Sequence, residues 1–306
     1  MVNLYWPIYK NLENELLSLT YNIFFTDGQL NVYSMNFVDL LLRTSAEIES
    51  IAKELYEQEG GNMNPVDEEG NSRCLYFDTD CIEYLNEKWS ICGKKISITA
   101  ATVHFEQEEN ITISPLLNAN KRGKNIWKKA YQSVKHSRKK SFKDASLKNC
   151  IYALGALYIL NIYLLNEELY RSQDSYPSNF FSPKTDFVPL PDIKADYDYT
   201  KYTDCIFLNI FDEKDYKTYF RYRQEEFETL KRMLISSTEY NSYLAKNPNA
   251  NFTGMDIFYI YKLVGGIEFA RNMFDKVPHR ADIMVINAKT KRVLNKNQII
   301  YNLEEP

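Results

Sequence analysis

The chain has 306 residues, 44% of them apolar and 25% charged, with a formal net charge of −4. That length suits one large domain or two modest ones, and the composition excludes a disordered tail, a collagen-like fibre and a disulfide-stapled miniprotein. The near-neutral average excludes a protein basic over its whole surface. The aromatic load of 24 Tyr, 17 Phe and 3 Trp falls mostly at core spacings.

In chain order, a first helix is expected over 7–19, where Ile8, Leu12, Leu16 and Leu19 recur at helical spacing. Tyr21 to Phe25, short and aromatic, closes on Asp27-Gly28 as a strand and turn. Ser34 is placed to cap a long helix to Glu57, stopped by Gly60-Gly61. Its apolar stripe is Phe37, Leu41, Ile48, Ile51, Ala52 and Leu55; Arg43 and Glu47 sit one turn apart on it, as do Glu49 and Lys53. A polar loop (58–73), a short helix (81–89) and a strand over 95–105, paired with 110–114, follow. A helix over 124–135 precedes a longer one over 141–170, for which Ser141 and Asp144 have capping-box spacing. Residues 172–203, with Pro177, Pro183, Pro189 and Pro191, are expected as a linker or wrapping loop. Beyond them come a strand (205–211), helices over 215–244 and 253–274, and strands over 281–287 and 298–303. The basic run Lys289-Thr290-Lys291-Arg292 connects these last two.

Cys74, Cys81, Cys92, Cys150 and Cys205 are an odd set with no C-x-x-C pair, the pattern of free thiols in a reducing, cytoplasmic compartment. No two of His104, His136 and His279 stand at metal-ligand spacing, so neither a metal nor a cofactor is expected. The N-terminus lacks the pattern of a signal peptide. The longest apolar run, 150–165, is shorter than the roughly 20 residues of a spanning helix, so it is expected as a buried helix with no membrane role. Phosphate loops and the G-x-S-x-G element are missing from the sequence.

Residues 121–140, KRGKNIWKKAYQSVKHSRKK, hold nine Lys or Arg and no acid, which leaves −13 for the remainder. With Trp127 and Tyr131 interleaved, this is the pattern of a phosphate-backbone contact with aromatic stacking. A solvated helix face is the plain alternative. Lys128, Lys129, Tyr131, Lys135, Lys139 and Lys140 are the candidate RNA contacts.

The element Tyr131-Gln-Ser-Val-Lys135-His136-Ser-Arg138 stands before the Ala- and Leu-rich helix and after Glu47-Ile-Glu49-Ser-Ile-Ala-Lys53. In that order the two resemble the HEPN superfamily, over roughly residues 34–170. The resemblance implies a mainly α fold: an antiparallel helical bundle with short strands over 1–172 and a smaller α+β portion over 173–306. It further implies a homodimer. Active members are metal-independent ribonucleases of toxin–antitoxin or antiviral defence systems, so RNA and an antitoxin are the implied partners. Locally, His136 suits the base that accepts the 2′-hydroxyl proton. Arg138, with Lys135 and Lys129, suits the developing phosphate charge, as does a helix N-terminus at Ser141. Glu47 or Glu49 would orient His136 or pair with Arg138. The family's usual motif places Arg four to six residues before His, whereas here Gln132, Tyr131 and Ala130 fill those positions. The alternative is a noncatalytic interaction module, or one that binds a nucleotide or RNA, with His136 and Arg138 bonded to Glu47 across the bundle.

Overall fold

The computed structural model describes residues 4–165, 178–188 and 202–297, which fall into two units. In the first, α1 (Tyr5–Leu19) buries Tyr9, Leu12, Leu16 and Leu19. A two-residue strand, β1 (Phe25–Thr26), follows it. The Ser34 hydroxyl accepts the Phe37 N–H at 3.2 Å and caps α2 (Met35–Gln58) as expected. A rare π-helical turn (Phe77–Ile82) leads into α3 (Glu83–Trp89). Next come β2 (Ile96–Ile98), β3 (Val103–His104), α4 (Glu108–Ile111) and β4 (Thr112–Ile113). The helices α5 (Ile126–Ser141) and α6 (Leu147–Leu165) complete the main frame, in which α2 packs on α1, α5 and α6, and α6 packs on α1 and α5.

Apolar on every side, α6 is long and apolar enough to cross a membrane, yet it is the core helix here: it is buried from Ala153 to Tyr163. At Gly155 an added Cβ would lie 2.8 Å from Ile96 Cδ1 and 2.9 Å from Pro115 Cγ, so this glycine lets the β2 and 115 segments approach the helix.

The short strands tie distant segments together. Parallel pairing joins β1 to β3, and β2 pairs antiparallel with both β4 and β5 (Phe181–Pro183). A third sheet has the order β6 (Thr185–Phe187), β7 (Phe207–Phe211), β8 (Thr290–Leu294). The first unit therefore does not end at residue 172: it runs to Phe187 and takes in residues 202–209 and 292–297. Buried Glu13 is one reason, since its carboxylate accepts the Tyr9 hydroxyl at 2.7 Å and the Phe180 N–H at 3.3 Å. Of the expected linker, residues 178–188 thus carry two strands; 166–170 of the expected long helix lie outside the described residues.

The second unit holds α7 (Glu213–Ile235), α8 (Thr238–Lys246), α9 (Ile257–Phe274) and α10 (Arg280–Asn287). Its core gathers Leu230, Leu234, Ile260, Tyr261, Ala270 and Val277. The single helix expected over 215–244 is broken at Ser236–Ser237, where the Ser237 hydroxyl accepts the Tyr240 N–H and starts α8. The strand expected over 281–287 is instead the helix α10. Here tertiary contacts override β-branched composition: buried Glu226 accepts the Ala281 N–H at 3.1 Å, and Arg223 meets Asp282 at 2.9 Å. The basic run 289–292 lies largely within β8 rather than in a connection; the strand expected over 298–303 lies outside the described residues. The mainly helical class stands.

Candidate nucleic-acid interface

From Ile126 onward the basic stretch folds as an amphipathic helix; Lys121, Arg122 and Lys124 precede it. Trp127, Ala130, Tyr131 and Val134 recur at i, i+3, i+4 and i+7 and face the core. The Trp127 indole N–H donates to the Pro115 carbonyl at 3.0 Å, and the Tyr131 hydroxyl accepts Lys135 Nζ at 3.1 Å. Neither ring is open to stack on a base: Trp127 is 0% and Tyr131 5% exposed. Lys128 is also buried, its ammonium donating to Asp78 and, at 3.4 Å each, to the carbonyls of Ala119 and Lys121. Tyr131 and Lys128 are therefore structural, against expectation; helical spacing puts them on the buried face. The other eight cations of 121–140, Lys129, Lys135, Lys139 and Lys140 among them, are exposed. None has a carboxylate partner within 4 Å among the described residues.

The catalytic set does not assemble as expected. His136 and Arg138 are both exposed and make no hydrogen bond or ion pair among the described residues. Between them Ser137 takes non-helical angles (φ −149°, ψ 60°), so no common helical register holds the two. Glu47 lines a separate hollow of about 370 Å³ on the α1 side of α2, with Pro7, Asn11 and Arg43, and does not orient His136. Arg43 pairs with Glu15 and Asp39 rather than with Glu47. The N-terminus expected at Ser141 is also displaced, because α5 continues through that residue. At the real start of α6 the N–H groups are occupied: Leu147 donates to Val32 O and Lys148 to Leu30 O, both at 2.9 Å, and Asn149 to Ser146 Oγ at 3.3 Å. No free donors remain there for an anion.

A cleft of about 1080 Å³ lies beside α5, bounded by α2, the 75–79 turn and the first residues of α6. Lys129, Gln132 and Ser133 line it from α5, Glu49 and Lys53 from α2, and Tyr76 and Asp78 from the turn. Arg73 grips Asp80 through two bonds of 2.7 Å, and Asp80 accepts the Tyr76 N–H at 2.8 Å, so the turn is pinned. The same guanidinium holds the Asp80 carboxyl below the usual carboxylate range. Tyr76 is left half-exposed, with the guanidinium groups of Arg73 and Arg122 5.8 and 6.0 Å from its ring centre. On the opposite side Ser133 Oγ donates to Asp144 at 2.7 Å and locks α5 to the start of α6. Sequence reasoning passed over Tyr76, Asn31 and the role of Lys53 in this cleft, since they come from separate segments and share no motif.

Among the described residues no three of His, Cys, Asp and Glu gather as a metal site. All five cysteines are free, and burial pushes the thiols of Cys81 and Cys205 up to about 12, away from reactivity. Among known proteins, no family model matches the chain, and no curated protein or solved structure is similar to it.

Proposed function

We propose that this protein is a noncatalytic RNA-binding module of HEPN-like type, which holds the phosphate backbone on the exposed face of α5. One observation carries this: eight cations of a single 20-residue stretch stand exposed with no carboxylate partner among the described residues. Uncompensated positive charge at that density attracts a polyanion and releases its counterions on contact. The cytoplasmic setting rests on the pattern of free cysteines, whereas the homodimer, the antitoxin-like partner and the conflict or defence role rest on the resemblance to the HEPN superfamily alone. A ribonuclease using His136 and Arg138 is the reading that the placement of Glu47 and the lack of any orienting partner disfavour.

The test is RNA affinity as a function of salt, read by fluorescence anisotropy. The wild type should show log K falling with log salt, and Lys139→Glu with Lys140→Glu should shallow that slope by about 0.7 per lost phosphate contact. A flat salt response would sink the proposal. RNA incubated with the protein in EDTA should stay intact. Cleavage that disappears in a folded His136→Ala variant would replace the binding reading by the ribonuclease one.

A further inference from the structure

The cleft beside α5 draws its walls from several segments. Ile126, Lys129 and Gln132 succeed one another along α5, Lys53 and Glu49 come from α2, and Tyr76, Arg122 and Asn31 complete the lining. Two electrostatic neighbours orient α2 against α5: Lys53 lies close enough to bear on the Cys81 thiol, next to the 75–79 turn, whereas Glu49 bears on Lys135, further along α5. From Ile126 to Ser133 the helix advances about 10 Å at roughly 1.5 Å per residue.

Each part of this cleft has unused capacity. Lys53, Lys129 and Arg122 have no carboxylate partner within 4 Å among the described residues; of the three acids that line the cleft, Asp78 is taken by buried Lys128, Asp144 accepts the Ser133 hydroxyl, and Glu49 bears on Lys135. The side-chain amides of Asn31 and Gln132 make no hydrogen bond among the described residues, so donors and acceptors both remain open. The half-exposed Tyr76 ring presents apolar surface to the cleft, with the guanidinium groups of Arg73 and Arg122 over it at 5.8 and 6.0 Å from its centre. The wall that carries Asp78 is a π-helical turn, a rare conformation that is frequent at functional sites. A volume of about 1080 Å³ exceeds what a lone phosphate or a single base needs.

We propose that this cleft takes one dinucleotide step of unpaired RNA, a proposal that rests on the RNA-binding reading and deepens it. One base stacks on Tyr76, the linking phosphate sits between Lys53 and Lys129, and the next nucleoside meets Asn31, Gln132 and Glu49. A paired strand presents no free base face to Tyr76 and so gains nothing from the cleft. The exposed cations, by contrast, serve single and double strands alike.

The test uses the full chain and a labelled RNA of about a dozen nucleotides, measured single-stranded and annealed to its complement. At low salt the single strand should bind about ten-fold more tightly. Tyr76→Ala should lose about ten-fold on the single strand, as one stacked base predicts, and leave duplex binding unchanged. Tyr76→Phe should keep the wild-type affinity, and Lys53→Gln should weaken only the single strand. Equal affinity for both forms, or a Tyr76→Ala variant that binds the single strand normally, overturns the proposal. If the salt slope still falls in Lys139→Glu/Lys140→Glu, RNA binding survives and the cleft alone has failed. If neither RNA binds at all, both readings fall together.

Discussion

Lys128→Met separates the structural from the binding role of the basic stretch. The side chains of Lys128 and Asp78 are 5% and 13% exposed, and the ammonium also faces the carbonyls of Ala119 and Lys121. Removing the cation leaves a largely desolvated carboxylate without its counter-charge. Breaking one side of such a pair costs about 3–5 kcal/mol, because the surviving charge is uncompensated. That is a large share of a domain's usual 5–15 kcal/mol. Asp78→Asn in the same background removes the stranded charge, so the double variant should recover much of the loss; the difference is the coupling read by a double-mutant cycle. The assay is urea unfolding followed by circular dichroism, with RNA affinity measured well below the transition. RNA affinity should be unchanged in the double variant, where no freed carboxylate faces the cleft, since Lys128 is not among the exposed cations. A cost under about 1 kcal/mol in the single variant would refute the desolvation argument, and a ten-fold loss of RNA affinity in the folded double variant would return Lys128 to the interface.

Two further outcomes follow from the packing. Lys94 is fully buried, its ammonium has no hydrogen-bond partner among the described residues, and burial lowers its pKa to about 7. Between that value and the unfolded lysine's roughly 10.4 the unfolded chain holds the extra proton, so this group's contribution makes stability rise with pH across that window, by about 1.4 kcal/mol per unit. Lys94→Met should therefore be more stable than wild type near pH 6, with a margin that shrinks by about pH 9; urea titrations at both pH values that show a constant margin would contradict this. Gly155→Ala should lower the melting temperature, because a methyl placed 2.8 Å from Ile96 and 2.9 Å from Pro115 costs about 1–3 kcal/mol, more than the roughly 1 kcal/mol gained in helix propensity. A higher melting temperature would show that Pro115 yields freely.

Periodicity was enough for elements whose sequence signal is local. The Ser34 cap and the buried stripe of α2 appear where spacing places them, and α6 appears as the expected apolar core helix, although it starts at Leu147 rather than at Ser141. The same spacing argument, carried one step further, would have moved Trp127 and Tyr131 from the interface to the core. They stand with Ala130 and Val134 on one helical face, and a basic run that is also amphipathic must bury that face first. Charge composition masked this, because nine cations in twenty residues drew attention to all of them equally.

What sequence could not supply is the pairing of distant segments. The α10 segment has β-forming composition, and only Glu226 and Arg223, more than fifty residues earlier, make its helical start favourable. The boundary after residue 172 fails for the same reason: a buried carboxylate at Glu13 reaches across more than 160 positions to Phe180, and the three-residue strand β5 pairs with β2 more than 80 positions earlier. The cleft is the strongest instance. Its cations come from α2, α5 and the segment just before α5, its ring from a turn pinned by Arg73 and Asp80, and its amides from positions 31 and 132. Lys53 and Gln132 lie in the two elements that carry the HEPN resemblance, but Tyr76, Asn31 and Arg122 belong to neither, so a site of this kind becomes visible only when the fold brings its walls together. That also explains why the expected catalytic residues do not come together while the expected cations remain exposed. Catalysis needs His136, Arg138 and Glu47 at fixed mutual positions across two helices, whereas binding a polyanion needs only that the cations of α5 remain exposed and unpaired, a condition that one amphipathic helix satisfies alone.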